Sequence, residues 1–321
     1  MSTNGDLHVV LGATGGIGSA LVGELVGRGH GVRAVSRSGR APAGAESFKA
    51  DVSSSAGAKA ASSGAAVVYH ASQPEYTKWT QEFPAMTDAI VDGAVSADAK
   101  LVFADNLYMY GPGSPQPMTE ETPQRAEGKK GRVRIQMAEK LLEAQRVGQV
   151  RVAIGRASDY YGPGGTGTIA GDTVFDAVLA GKTVRWPGSL DTSHQFNYLP
   201  DLARALVTLG EREEADGEVW HLPAAEPITG RHFLDLVSAE VGRPVKASAT
   251  PRSMIRAIGL LSPFIRELVE TMYQFEQPFY ADASKYKQTF GPFGPTPHEE
   301  AVRHTVSWFR EREESGSQGK E

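Results

Sequence analysis

Val9-Val10-Leu11-Gly12-Ala13-Thr14-Gly15-Gly16-Ile17-Gly18 is an apolar run that meets glycines spaced three apart and continues as a helix, read over Ser19 to Arg28. This is the pattern of a dinucleotide-binding turn. Gly12 and Gly15 allow a tight turn and a close approach of backbone to pyrophosphate, Gly18 lets helix pack on strand, and free N–H groups at the helix start face the phosphates. Glycine is abundant here, at 36 residues, so the spacing carries weight only through its context. That context agrees: a strand precedes it, an amphipathic helix with Ile17, Leu21, Leu25 and Val26 follows, and a second strand, Gly31 to Ser36, comes next. Thr14, Gly16 and Ile17 complete the expected phosphate turn.

With 321 residues, 40% of them hydrophobic, the chain can bury a full core. A formal charge of −5 argues against a nucleic-acid stripe or a polybasic membrane patch, which leaves small molecules as the expected partners. The absence of cysteine excludes disulfides, thiolate metal sites and cysteine nucleophiles. Met1 to Asp6 lacks a signal-peptide pattern and no apolar run reaches membrane-spanning length, so the expected compartment is the cytoplasm.

Strand and helix alternate from residue 7 to residue 154, which implies a parallel sheet and an α/β doubly wound fold. Expected strands after the second are 47–50, 66–70, 100–104 and 149–154, with helices at 53–65, 78–97 and 133–147. Residues 107–130 form a long Pro- and Gly-rich connection of the kind that carries function. After Gly162-Pro-Gly-Gly-Thr-Gly167 the rhythm becomes irregular, with helices expected at 168–181, 200–212, 229–242 and 253–275 and short strands near Val184 and 218–222. The reading is a dinucleotide-binding domain over 1–165 with returning segments near 194–222. A smaller, discontinuous C-terminal substrate lobe spans 166–314, its last helix ending at Arg312, and a disordered tail runs from Ser315 to Glu321.

An acid at the end of the second strand would bind the adenosine ribose and favour NAD. Here that stretch holds Arg33, Ser36, Arg37, Ser38 and Arg40 and no acid, so NADP is the expected cofactor and NAD the less favoured one. Ser36 and Arg37 are the candidate 2′-phosphate contacts. Asp51, after the third strand, is placed to meet the adenine amino group or to cap a helix, and Ala71 and Ser72 follow the fourth strand at the same cleft.

The chain resembles the extended short-chain dehydrogenase/reductases, the NAD(P)-dependent epimerase/dehydratases, over nearly its whole length. The matching features are the glycine spacing, Asp51, Tyr110-Gly111, Arg156 followed by Tyr161-Gly162-Pro163, His194-Gln-Phe-Asn-Tyr-Leu-Pro-Asp201, and Phe290-Gly291 with Pro297 and Trp308. The resemblance implies a Rossmann-type domain, a lobe closing over substrate, and dimerisation through helices 78–97 and 133–147. It also implies catalysis by a tyrosine with a lysine four residues on, helped by a serine or threonine, the ammonium lowering the phenol's pKa.

None of the ten tyrosines has lysine four residues on. Anchored on Glu139, the pair falls at Gly131 and Ile135, or one residue later at Arg132 and Gln136, and the helper serine's position is Asn106. The neighbouring Leu107 and Tyr108 stand where related dehydratases carry an acid pair, so Tyr108 becomes the first catalytic candidate, held by Asn106. Tyr160 and Tyr161 are further candidates, with Tyr161 the more structural in its Tyr-Gly-Pro setting. Lys129, Lys130, Arg132 and Arg134 read as a solvated basic turn from which one charge could replace the missing lysine. His194 reads as a buried brace, and Tyr76, Lys78, Trp79, Tyr273, Gln274 and Phe275 as pocket lining. The leading expectation is an NADP-dependent oxidoreductase acting on a small, partly apolar carbonyl, imine or activated alkene. The alternatives are a redox-neutral isomerase, epimerase, dehydratase or cyclase, and a non-catalytic NADP(H) sensor. Metal and hydrolytic chemistry have no supporting motif.

Overall fold

The computed structural model describes residues 6–318. Its first half alternates as expected: β1 (Leu7–Leu11), α1 (Gly16–Gly27), β2 (Gly31–Ser36), β3 (Glu46–Lys49), α2 (Ser55–Ser62), β4 (Ala65–His70), α3 (Trp79–Ser96), β5 (Lys100–Asp105), α4 (Lys129–Arg146) and β6 (Val152–Arg156). Next come β7 (Asp159–Tyr161), α5 (Val174–Leu179), β8 (Val184–Pro187), β9 (Ser193–His194) and β10 (Phe196–Tyr198). Helix α6 (Leu199–Glu211) then returns to the sheet and leads into β11 (Glu218–His221). The main sheet has seven strands in the order β11-β6-β5-β4-β1-β2-β3, all parallel. Chain order reverses between β1 and β4, so the connections leaving these two strands diverge and open a cleft at their carboxyl ends.

Both faces of the sheet are covered, which is why its strands read as nearly unbroken apolar runs. Leu21, Val22 and Leu25 of α1 and Leu202, Leu206 and Leu209 of α6 bury one face. Phe83, Ile90 and Ala94 of α3 and Met137, Ala138 and Leu141 of α4 bury the other.

The rest of the chain comprises β12 (Ile228–Thr229), α7 (Gly230–Val241), β13 (Ala247–Thr250), α8 (Arg252–Gly259), α9 (Pro263–Leu268), α10 (Ser284–Phe290) and α11 (His298–Gln318). Phe175, Trp186, Phe196, Phe233 and Phe309 form a second core. The expected helix 253–275 is broken in two places. Gly259 lets the backbone of Arg266 approach to 3.0 Å of where a Cβ would stand, and Ser262 caps a new helix whose first residue is Pro263. The expected helix 168–181 is helical only from Val174, after an irregular turn at Ile169–Thr173. The closing helix runs on to Gln318, past the expected end at Arg312; of the expected disordered tail, residues 319–321 lie outside the described residues. No described helix is long and apolar enough to cross a membrane.

Candidate functional site

A cavity of about 850 Å³ opens at the point where strand order reverses. Its floor is the glycine turn. Gly12 has φ +83°, and a Cβ there would lie 2.8 Å from the Ala71 carbonyl oxygen, so only glycine fits. At Gly18 a Cβ would overlap the Gly12 carbonyl, so this residue acts through close helix–strand packing and does not line the cavity. No side chain caps α1 at Gly15, which leaves the backbone N–H groups of its first turn facing the cavity. A cradle of this shape, which side chains would fill, fits a dinucleotide pyrophosphate.

Gly12, Thr14, Gly15, Gly16, Ile17, Ser36, Arg37, Asp51, Ala71 and Ser72 all line this cavity, as do Asn106 and Tyr108. The three arginines in and after β2 are not equivalent. Arg33 bonds Glu46 and the carbonyls of Ala61 and Ser63, and Arg40 bonds the Ser38 hydroxyl, which leaves Arg37 as the one on the cavity wall. Asp51 accepts from the N–H (3.0 Å) and hydroxyl (2.7 Å) of Ser53, bonds that hold its carboxyl below the usual range, with Arg37 adding to the effect.

At the other end of the cavity the sequence reading needs correction. Tyr161 is not in the site: it is fully buried in the second core, packed on Phe233 and bonded to His298 at 2.9 Å. The basic residues expected to form a solvated turn are split by helix phase. Lys130 and Arg134, one turn apart on α4, are only 1% and 4% exposed. Lys130 bonds the Tyr76 carbonyl and Glu267 (3.0 Å) and does not line the cavity; Arg134 does, with its guanidinium over the rings of Trp79 (4.5 Å) and Phe83 (4.6 Å). Gly131 cannot be replaced by a tyrosine, because a Cβ there would lie 2.7 Å from the Tyr108 carbonyl oxygen. The signal for this arrangement was in the sequence: 130, 134, 137 and 141 form one helical stripe, continued by the buried Met137 and Leu141.

Arg134 belongs to a buried triad. Asp105, at the end of β5, faces Arg134 through one carboxylate oxygen and Arg156 through the other, both at 3.2 Å. Arg156 donates onward to the Tyr110 hydroxyl (3.0 Å), which meets His221 at 2.6 Å. One carboxylate between two guanidiniums leaves an excess positive charge, and Arg134 Nε has no partner among the described residues. Four more buried polar atoms on the cavity wall lack partners there: the Tyr76 hydroxyl, Trp79 Nε1, Ser158 Oγ and Thr168 Oγ1. Such atoms are costly to leave unsatisfied, and a polar ligand would satisfy them.

Asn106 accepts the Tyr108 N–H at 3.0 Å and so fixes the turn that aims Tyr108. Burial pushes the Tyr108 phenol well above its ordinary pKa, with Asp159 and two other tyrosines adding to the rise, and Tyr76 and Tyr160 are pushed up to about 12 by burial. At neutral pH these hydroxyls donate hydrogen bonds and do not act as bases. The lining carboxylates differ in what holds them. Glu75 and Glu82 pair with Lys78, Asp105 is locked in the triad, and Asp159 meets His194 Nε2 at 2.9 Å. His194 Nδ1 lies 2.9 Å from the Gln274 carbonyl, so the ring is held between that carbonyl and the Asp159 carboxylate. Phe275 stacks on the imidazole at 4.8 Å. Asp159 was not singled out from sequence; its signal was its place just past the carboxyl end of β6. Among the described residues no group of three His, Asp or Glu side chains could hold a metal ion.

The comparisons follow the fold. Solved structures that resemble the chain include MoeE5 in complex with UDP-glucuronic acid and NAD, at 20% identity over 96% of this chain and 100% of that one, with a TM-score of 0.76. DesIV, a dTDP-glucose 4,6-dehydratase from Streptomyces venezuelae, is 16% identical over 95% and 97% of the two chains, with a TM-score of 0.76. A UDP-galactose 4-epimerase is 18% identical over 95% and 99%, with a TM-score of 0.75. No curated protein sequence matches. The family model described as "NAD dependent epimerase/dehydratase family" matches residues 8–222, from β1 to the strand that completes the sheet, and the chain belongs to that family.

Proposed function

We propose that this chain is a redox-neutral enzyme, an isomerase, epimerase or dehydratase, that holds a nicotinamide dinucleotide in the cleft. The Asp159–His194 pair would move the substrate's protons. That pair is the observation that carries the reading: the cavity's phenols are held protonated and its other carboxylates are engaged or remote, so proton exchange falls to Asp159. Family membership and the epimerase and dehydratase folds around it favour this reading over the carbonyl reductase that the sequence put first.

Each residue has a separate task. Asp159 takes or returns a proton at the substrate, and His194 orients the carboxylate. The excess positive charge of the triad, presented through Arg134, and the Tyr108 hydroxyl meet negative charge developing on a substrate oxygen. A bound nicotinamide supplies a site that can accept and return hydride. Arg37, on the cavity wall after β2, would meet a 2′-phosphate, which favours NADP over NAD.

The substrate should lack a diphosphate. The lining cations are Arg37, Lys78 and Arg134, of which Arg37 serves the cofactor end and Lys78 is paired with two glutamates. The walls are apolar and aromatic: Tyr76, Trp79, Leu107, Ile169, Phe264 and Leu268. The test is to incubate the enzyme with cofactor and a panel of small carbonyl compounds and hydroxy ketones in heavy water. Product carrying solvent deuterium, formed with constant nicotinamide absorbance and lost in Asp159→Asn, is the expected result. Stoichiometric loss of reduced cofactor would instead support the reductase reading, for which the Arg134 and Tyr108 donors alone suffice.

A further inference from the structure

Seven large apolar side chains stand exposed among the described residues, and five of them lie between Met254 and Phe264: Met254, Ile258, Leu260, Leu261 and Phe264. Leu260 and Leu261, at the tip between α8 and α9, are 82% and 92% exposed. Helix α8 buries only Ile255 and Gly259, and α9 buries none of its residues. Helices of eight and six residues do not hold themselves together in water, so this hairpin shows solvent an apolar face that something else is built to cover.

Charge indicates what covers it. The hairpin, Arg252 to Leu268, carries three arginines, Arg252, Arg256 and Arg266, against one acid, Glu267, which is paired with Lys130, in a protein whose formal charge is −5. Arg252 is bonded to Glu276, while Arg256 and Arg266, on the two helices themselves, are exposed and have no ion pair among the described residues. A second copy meeting this face symmetrically would set like charges against each other. An anionic bilayer would take both the apolar tip and the arginines, as interfacial amphipathic helices do.

We propose that the α8–α9 hairpin seats the protein on an anionic membrane surface. The mouth of the cavity is continuous with this element: Phe264 and Leu268 line the cavity, and the Phe264 ring rests edge-on against Tyr76 at 5.9 Å. Docking would hold that mouth at headgroup depth, where an apolar substrate dissolved in the bilayer can enter; this substrate route rests on the site reading above, whereas the docking does not. The proposal departs from the expectation drawn from net charge, which averages away a local cationic stretch.

The test uses the full chain and vesicles, with no substrate or cofactor. Phosphatidylcholine vesicles containing about one quarter phosphatidylglycerol should sediment the protein, and pure phosphatidylcholine should do so about fivefold or more weakly. Leu260→Ser with Leu261→Ser should weaken binding about tenfold or more, and Arg256→Glu about fivefold or more, without lowering the melting temperature. Failure of the wild-type protein to sediment with either vesicle overturns the proposal. So does a lipid-free dimer abolished by the double serine variant, which would assign the patch to a second copy. Because no turnover is read, either result is separate from the fate of the proposed chemistry.

Discussion

Replacing Asp105 by Asn keeps the size of the side chain and removes its charge, leaving Arg134 and Arg156 buried side by side with no counter-ion. Both guanidiniums now lie 3.2 Å from that carboxylate, and all three side chains are essentially excluded from water. Breaking a buried ion pair by deleting one partner costs about 3–5 kcal/mol, and here one carboxylate serves two cations. With an unfolding entropy of about 2.1 cal/mol/K per residue, the 321 residues give about 0.7 kcal/mol/K, so the melting temperature should fall by about 4–7 °C. Arg134→Met is the control. It retains an apolar stem against Trp79 and Phe83 and leaves a matched Asp105–Arg156 pair, so its cost should be about 1–2 kcal/mol. Differential scanning calorimetry of the two variants, with circular dichroism to establish folding, measures both. A melting temperature for Asp105→Asn within about 1 °C of wild type, or Arg134→Met proving the more damaging, would refute the triad as the seat of a buried excess charge.

On activity the order should reverse: Arg134→Met should lower kcat by about 10²–10³ while Arg134→Lys recovers part of it, read by steady-state kinetics on whichever substrate the deuterium panel identifies. Asp159→Asn should lower kcat by about 10²–10⁴, whereas Tyr161→Phe, outside the cavity, should leave kcat within about twofold of wild type. Acid should destabilise the fold through its buried imidazoles. Burial holds His70 and His221 down to about 3 and His8 to about 4, so they are neutral when folded but protonate near 6.5 when unfolded. Their contribution is complete above about pH 6.5 and falls by about 1.4 kcal/mol per pH unit for each histidine on the way down to about pH 4. Melting curves that stay flat across that window would contradict it.

The fold was legible because its signals are local and periodic. The turn at Gly12 to Gly18, the apolar strands and the amphipathic helices each announce themselves within about ten residues. The glycine-turn end of the cavity was legible for the same reason, since one loop and the ends of three strands supply most of its lining. The other end was not. His194 and Asp159 are 35 positions apart and meet only because the fold brings β9 beside the start of β7. Asp105, Arg134 and Arg156 come from three elements, and nothing within any one of them shows that their charges meet. Tyr161 misled because a position after a strand gives its neighbourhood but not its direction: Tyr160 turns to the cavity and Tyr161 to the core.

The claim on which the rest depends is that the cleft holds a nicotinamide dinucleotide. Titration calorimetry of NADPH, NADP, NADH and NAD against the wild-type protein and Arg37→Ala tests it most directly. Saturable binding is expected, tighter for the phosphorylated pair, with that preference lost in Arg37→Ala and binding of the unphosphorylated pair unchanged. Absence of binding by all four to the folded wild-type protein would contradict it.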